Sequence, residues 1–172
     1  LPASHPATKT RAARANRRFL VVKNVDTTFK RRGRDSAAIA GIINRSIALK
    51  PGNYLAFFPS FAFRDAVVEH IDPALGRIIR QTPAMKTGAV LDELIGNTTA
   101  TILLCGVMGG VFSEGVDYPG HMAIGAFIVG PGLPQIGPEQ ELIRSYHELQ
   151  SGSGFEFAYV NGIFYALLFF RR

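Results

Sequence analysis

The spacing of hydrophobic and polar positions changes several times along the chain, and each change predicts an element. Residues 1–16 mix small, polar and basic side chains around Pro2 and Pro6 with no apolar period, which reads as an extended leader. The β-branched and aromatic residues at 19–25 predict a strand, and 27–34 a polar, basic connection. Ile39, Ile42, Ile43, Ser46 and Ile47 then recur at helical intervals. Asp35 or Ser36 is placed to cap that helix, and Pro51-Gly52 ends it.

The uninterrupted apolar run Asn53-Tyr-Leu-Ala-Phe-Phe58, stopped by Pro59, predicts a strand buried on both faces of a parallel sheet. Ser60 is placed to cap a helix running to about His70. Further on, the pattern predicts a short strand at 77–81, a helix at 88–95 and a second buried strand at 100–107. A glycine-rich turn at 109–120 leads into a strand at 123–129. The last predicted helix, 138–149, has Pro138 in its first turn and Glu139 and Glu141 near the positive end of its dipole. Strands alternating with helices at this spacing predict an α/β fold of βαβ units, with a mostly parallel sheet covered on both sides. Ligands of such sheets bind at loops beyond the carboxyl ends of the strands. Attention therefore falls on Pro59-Ser60-Phe61 and on residues 109–117.

Composition narrows the class. A chain of 172 residues fits one domain, and 47% hydrophobic against 19% charged residues is too apolar for disorder. The longest near-apolar stretch, 100–112, is shorter than the roughly 18 residues that span a bilayer. No secretory pattern is visible, so the expected location is cytoplasmic, without a membrane partner. Cys105, the single cysteine, reads as a small core residue. His5, His70, His121 and His147 lack metal-ligand spacing, so no metal site is expected.

The net charge of +6 is uneven: residues 1–34 hold ten Lys/Arg against one acid, and residues 35–172 hold nine against twelve. Such a basic block suits phosphate neutralisation on nucleic acid; it equally suits a solvated tail.

The stretch Gly109-Gly-Val-Phe-Ser-Glu-Gly-Val-Asp117 carries the most chemistry: three glycines, the Ser113 hydroxyl and the carboxylates of Glu114 and Asp117. A hydroxyl can hold a phosphate, and a carboxylate can accept from a ribose hydroxyl or anchor an arginine. Ser113 does not stand in a nucleophile elbow. No Walker A pattern occurs, so the chain does not itself supply the usual phosphate cradle.

Taken together, Gly52-Asn-Tyr-Leu-Ala-Phe-Phe-Pro-Ser-Phe61 resembles motif IV of the DinG/XPD family of superfamily-2 DNA helicases, and Gly110-Val-Phe-Ser-Glu-Gly-Val-Asp117 resembles its motif V. Thr27-Thr-Phe-Lys-Arg-Arg32, Ile128-Val-Gly-Pro-Gly-Leu-Pro134 and Arg144-Ser-Tyr-His147 extend the likeness over about residues 19–159. With the basic leader taken to residue 18, the resemblance implies a RecA-like, three-layer domain at 19–172, truncated or divergent after about 159, the second motor domain of an ATP-driven translocase on single-stranded DNA. It implies DNA contacts from Ser60, Phe61 and Ser113, with Lys30, Arg31 and Arg32 adding electrostatic attraction. Core burial is the competing fate for Phe61 and Phe63. Glu114, Gly115 and Asp117 match the part of motif V that approaches the nucleotide. ATP with Mg2+ is then held mainly by an N-terminal RecA-like domain in cis, which carries the Walker motifs and, in many members, an iron–sulfur cluster.

After Gly154-Phe-Glu-Phe-Ala-Tyr159 the chain departs from the family. Residues 160–172 do not contain the Q-x-x-G-R-x-x-R helix, so Arg171 and Arg172 are not carried over as arginine fingers. No catalytic residue is expected in this chain, and alone it is expected not to turn over ATP. The alternative reading is a nucleic-acid-binding or interaction module that kept the fold and lost the motor. A small-molecule α/β enzyme built on 109–117 lacks a nucleophile–base or metal constellation.

Overall fold

The computed structural model describes residues 18–28, 32–130, 137–155 and 158. Its centre is a parallel sheet of β1 (Asn53–Phe58), β2 (Arg77–Arg80), β3 (Ile102–Val107) and β4 (Gly125–Ile128), in the order β2-β3-β1-β4. The helices are α1 (Arg32–Ile47), α2 (Phe61–Val68), α3 (Thr87–Gly96) and α4 (Pro138–Ser151).

The two apolar runs become the two central strands, in which every residue is buried. Side chains alternate between the faces of a strand, so each run serves two layers. Tyr54, Ala56, Phe58, Leu103 and Cys105 pack with Ile39, Ile43 and Ile47 of α1 and Phe63, Val67 and Val68 of α2. Leu55, Phe57, Ile102 and Leu104 face the other way, toward Val90 and Leu94 of α3 and toward Phe112. The result is the helix–sheet–helix sandwich that the sequence predicts. β4 is shorter than the predicted 123–129 strand and only alternately covered, because it pairs on one side alone, with β1.

At the opposite end of the sheet from the loops of interest, Asn53 is buried and fully bonded. Its Nδ2 donates to the carbonyls of Leu94 (2.7 Å) and His121 (3.3 Å), and its Oδ1 accepts from Asn97 Nδ2 (2.6 Å). These bonds tie the start of β1 to the end of α3.

Two predictions need correction. The 19–25 segment is not a strand, and Phe19, Leu20 and Val21 are exposed. Beside it, local side chains take up the backbone donors: the Asp26 N–H bonds Asp35 Oδ2 at 2.6 Å, and the Thr28 N–H bonds Asp26 Oδ1 at 2.9 Å. Short polar side chains of this kind offer the backbone an alternative to a ladder. Val25 alone of the apolar set reaches the core, packing on the α1/α2 side. Nor does α1 begin after Asp35 or Ser36. It begins at Arg32, which leaves Asp35 in the first turn to hold Asp26, while Ser36 Oγ donates to the Gly33 carbonyl at 3.1 Å. Ser60, in contrast, caps α2 as predicted, its Oγ accepting the Phe63 N–H at 3.3 Å.

Candidate functional site

Parallel strands send all their following loops to one edge, and register decides which loops become neighbours. Phe58, the last residue of β1, pairs with Val107, the last of β3, and the Met108 N–H donates to the Phe58 carbonyl at 2.9 Å. Ser60-Phe61 and the 109–117 loop therefore leave the sheet side by side. β2 ends at the same edge, with the Gln81 N–H bonded to the Cys105 carbonyl, as does β4, with the Val129 N–H bonded to the Phe57 carbonyl. The basic segment comes close to this edge as well: a Cβ on Gly130 would lie 2.7 Å from Thr27 Oγ1. A shallow polar cleft beside it is lined by Lys23, Asp26, Thr27, Arg34 and Asp35.

The 109–117 loop is held at both ends and open in the middle. Gly109 has φ +73°, a conformation that side-chain-bearing residues rarely adopt. The Gly110 N–H returns to the Val107 carbonyl at 3.1 Å, and the Gly110 carbonyl collects the N–H groups of Ser113 (2.9 Å) and Glu114 (3.2 Å). Phe112 is fully buried in the α3-side core. Tyr118 locks the far end, its hydroxyl donating to the Phe112 carbonyl at 2.7 Å, and burial pushes its phenol pKa upward. Between these anchors Glu114, Gly115 and Asp117 are exposed and Ser113 is half-buried.

The loop presents exposed acceptors rather than a cradle of free amides. The exposed carboxylates can accept from hydroxyl or guanidinium groups. The amides of Gly110, Ser113 and Glu114, however, are already bonded within the loop. The Ser113 hydroxyl donates to the Gly110 carbonyl at 2.9 Å, so it must rotate to reach a phosphate. Ser60 is freer: its Oγ accepts from Phe63 and keeps its own hydrogen to donate. Phe61 and Phe63 divide, with Phe61 36% exposed and Phe63 4%. Lys30 and Arg31 lie outside the described residues, and Arg32 opens α1 with its side chain likewise outside them.

Two residues at this edge escaped sequence reasoning. Arg64, on α2, and Gln81, just after β2, are buried at this edge, at 5% and 4% exposure. A signal was present for Gln81: a glycine inside a strand often marks close approach of another group. Gly106 in β3 is such a glycine, and its missing Cβ would lie 2.9 Å from Gln81 Oε1. Cys105, beneath them, is the core residue expected, its thiol pushed up to about 12 by burial, with Arg64 and Arg80 pulling the other way. Among the described residues, no group of three or more His, Cys, Asp or Glu side chains is placed to hold a metal ion, and no helix is long and apolar enough to cross a membrane.

The same architecture occurs in proteins of known structure. An XPD helicase superposes with a TM-score of 0.66 at 16% identity, over 86% of this chain and 26% of that one. An apo XPD structure gives 0.62 at 18% identity, over 84% and 29%. Xpd4 of S. tokodaii gives 0.59 at 16% identity, over 84% and 28%. The chain thus spans little more than a quarter of the length of these structures. No curated protein matches it. The family model for the helicase C-terminal domain matches residues 43–168, which takes in all four strands and both candidate loops. That match makes the chain a member of the helicase C-terminal domain family, with the fold seen in the XPD structures.

Proposed function

We propose that this chain is the second motor domain of an ATP-dependent DNA helicase. In this reading Ser60, Phe61 and Ser113 contact the backbone and bases of single-stranded DNA, while Glu114, Gly115 and Asp117 form one wall of the ATP cleft. The observation that carries it is the pairing of Phe58 with Val107, which sets the Ser60-Phe61 loop beside the 109–117 loop. DNA contact and nucleotide contact then share one edge, as a motor that couples them requires. ATP with Mg2+ is held mainly by an N-terminal RecA-like partner domain, which faces this edge and supplies the phosphate cradle absent from this chain. Lys30, Arg31 and Arg32, together with Lys23 and Arg34 of the neighbouring cleft, supply sequence-independent attraction to phosphate.

Fluorescence anisotropy of a labelled oligo-dT with the purified chain tests the DNA half. Binding should weaken steadily with salt, with a log–log slope of about −0.7 for each phosphate neutralised. Binding absent at low salt, or indifferent to salt, would remove the DNA reading. The nucleotide half is tested by joining the chain to a Walker A-bearing RecA-like domain and measuring ATP turnover, with Glu114→Gln and Asp117→Asn as variants. DNA binding without turnover in that pairing favours the alternative, a binding module that kept the fold and lost the motor.

A further inference from the structure

Between the two candidate loops runs a chain of buried polar contacts to which the proposed function gives no role. It starts at the surface with Phe61, whose ring has the Arg64 guanidinium over it, 5.0 Å from the centroid. Arg64 donates from Nε and Nη2 to Asp65 Oδ1 at 3.0 and 2.8 Å, and from Nη1 to the main-chain carbonyl of Gln81. Gln81 then turns its side chain toward the other loop. Its Oε1 accepts the Val107 N–H at 3.0 Å, and its amide lies so close to Gly110 that a Cβ there would stand 2.5 Å from Nε2. Val107 ends β3, and Gly110 carries the carbonyl that gathers Ser113 and Glu114. The contacts run without a gap from Phe61 through Arg64 and Gln81 to the loop that bears Glu114 and Asp117.

Burying a guanidinium and a carboxamide is costly unless each polar atom is bonded, and a well-packed apolar pair often fills such space at least as stably. Apolar packing does not fix direction in the same way. Asp65, on the same helix, holds the planar Arg64 guanidinium by two bonds, so its remaining Nη1 bond ties α2 to the end of β2 in a set direction, and the Gln81 carboxamide ties the end of β2 to the end of β3. Close-packed interiors do not deform continuously, so a shift at one end of such a chain has to be taken up at the other.

We infer that Arg64 and Gln81 are positioning residues that couple Phe61 to the 109–117 loop, so that occupation of one end alters the geometry of the other. What each end binds rests on the proposed function; the connection between them belongs to the chain itself.

Amide hydrogen exchange, followed by NMR in the full 172-residue chain, tests the connection directly. Leu104, in the middle of β3, serves as the internal reference for global opening. Gln81→Leu should speed exchange at Val107 and Gly110 by about tenfold relative to Leu104, as expected when one buried hydrogen bond is lost. Gln81→Glu keeps the acceptor oxygen and should restore protection at Val107. Arg64→Met touches neither amide, yet should also speed both relative to Leu104; if it does not fold, Arg64→Lys, which loses the fork but keeps the charge, is scored by the same criterion. An unchanged ratio in the Arg64 variant, or uniform acceleration of all three amides, overturns the coupling and leaves a merely structural role. Oligo-dT affinity supplies the functional arm. Gln81→Leu should weaken binding several-fold although Gln81 is buried, and unchanged affinity also overturns the coupling. If the unaltered chain binds no oligo-dT, the DNA reading fails, and the exchange measurement alone decides whether the two loops are connected.

Discussion

Val111 and Phe112 are adjacent, both apolar, and both in the loop that resembles motif V, yet they should respond oppositely to truncation. Phe112 is fully buried against Leu55, Phe57, Leu94 and Leu104, whereas Val111 is 50% exposed. Removing a buried phenyl ring loses its transfer free energy and leaves a cavity, together about 3–5 kcal/mol. Against a total stability of about 5–15 kcal/mol, Phe112→Ala is therefore a severe change. At about 2–4 °C per kcal/mol for a domain of this size, it should lower the melting temperature by roughly 6–20 °C. Val111→Ala removes little buried surface and should stay within about 0.5 kcal/mol of the parent. Urea unfolding monitored by far-ultraviolet circular dichroism measures both. Phe112→Ala should also loosen the turn at Ser113 and Glu114, because the Phe112 carbonyl holds the Tyr118 hydroxyl at the loop's far end. Equal losses for the two variants, or a loss below about 1 kcal/mol for Phe112→Ala, would refute the view that this side chain anchors the loop to the sheet.

Gly110→Ala places a methyl group 2.5 Å from Gln81 Nε2 and 2.9 Å from the Val107 carbonyl oxygen, and the backbone oxygen has little room to retreat. Displacing Gln81 strands the buried Val107 N–H, so a loss of about 1–3 kcal/mol is expected in urea unfolding; a neutral effect would contradict the packing. Ser60→Ala removes the α2 cap and should cost about 1 kcal/mol, while Ser60→Gly should cost only a few tenths. Stability should fall above pH 9, because the Cys105 thiol ionises near 9.0 when unfolded but is held neutral to about 12 when folded. The folded chain binds the extra proton in that window, so the urea midpoint declines with pH, by at most ~1.4 kcal/mol per unit for one group. Tyr118, also raised by burial, adds to the fall at the alkaline end. Cys105→Ala should decline less steeply than the parent chain between pH 9 and 11; an identical slope would exclude the thiol as a contributor.

Local patterns made much of the fold legible. The runs 53–58 and 102–107 are apolar at nearly every position, so no partly solvated face satisfies them and they had to become central strands. The period of Ile39, Ile43 and Ile47 fixed the buried face of α1, and Ser60 before an apolar stretch marked the start of α2. The segment 19–25 has equal strand propensity yet forms none, and among the described residues no strand pairs with it. β-propensity describes fit to a sheet that the rest of the chain must provide.

The candidate site divides along the same line. By itself the sequence singled out two loops as candidates, because glycine, hydroxyl and carboxylate side chains following apolar strands are visible residue by residue. Which loops adjoin was settled only in three dimensions, since strand order β2-β3-β1-β4 places residues 58 and 107 together despite the long stretch between them. Tertiary structure also decided that Phe61 is partly exposed while Phe63 is buried, and that Ser113 turns its hydroxyl inward. Arg64 and Gln81 were beyond local reading for the same reason: polar residues become buried only when distant segments supply their hydrogen-bond partners. Periodicity records how each residue meets its own element, whereas these outcomes depend on how elements meet one another.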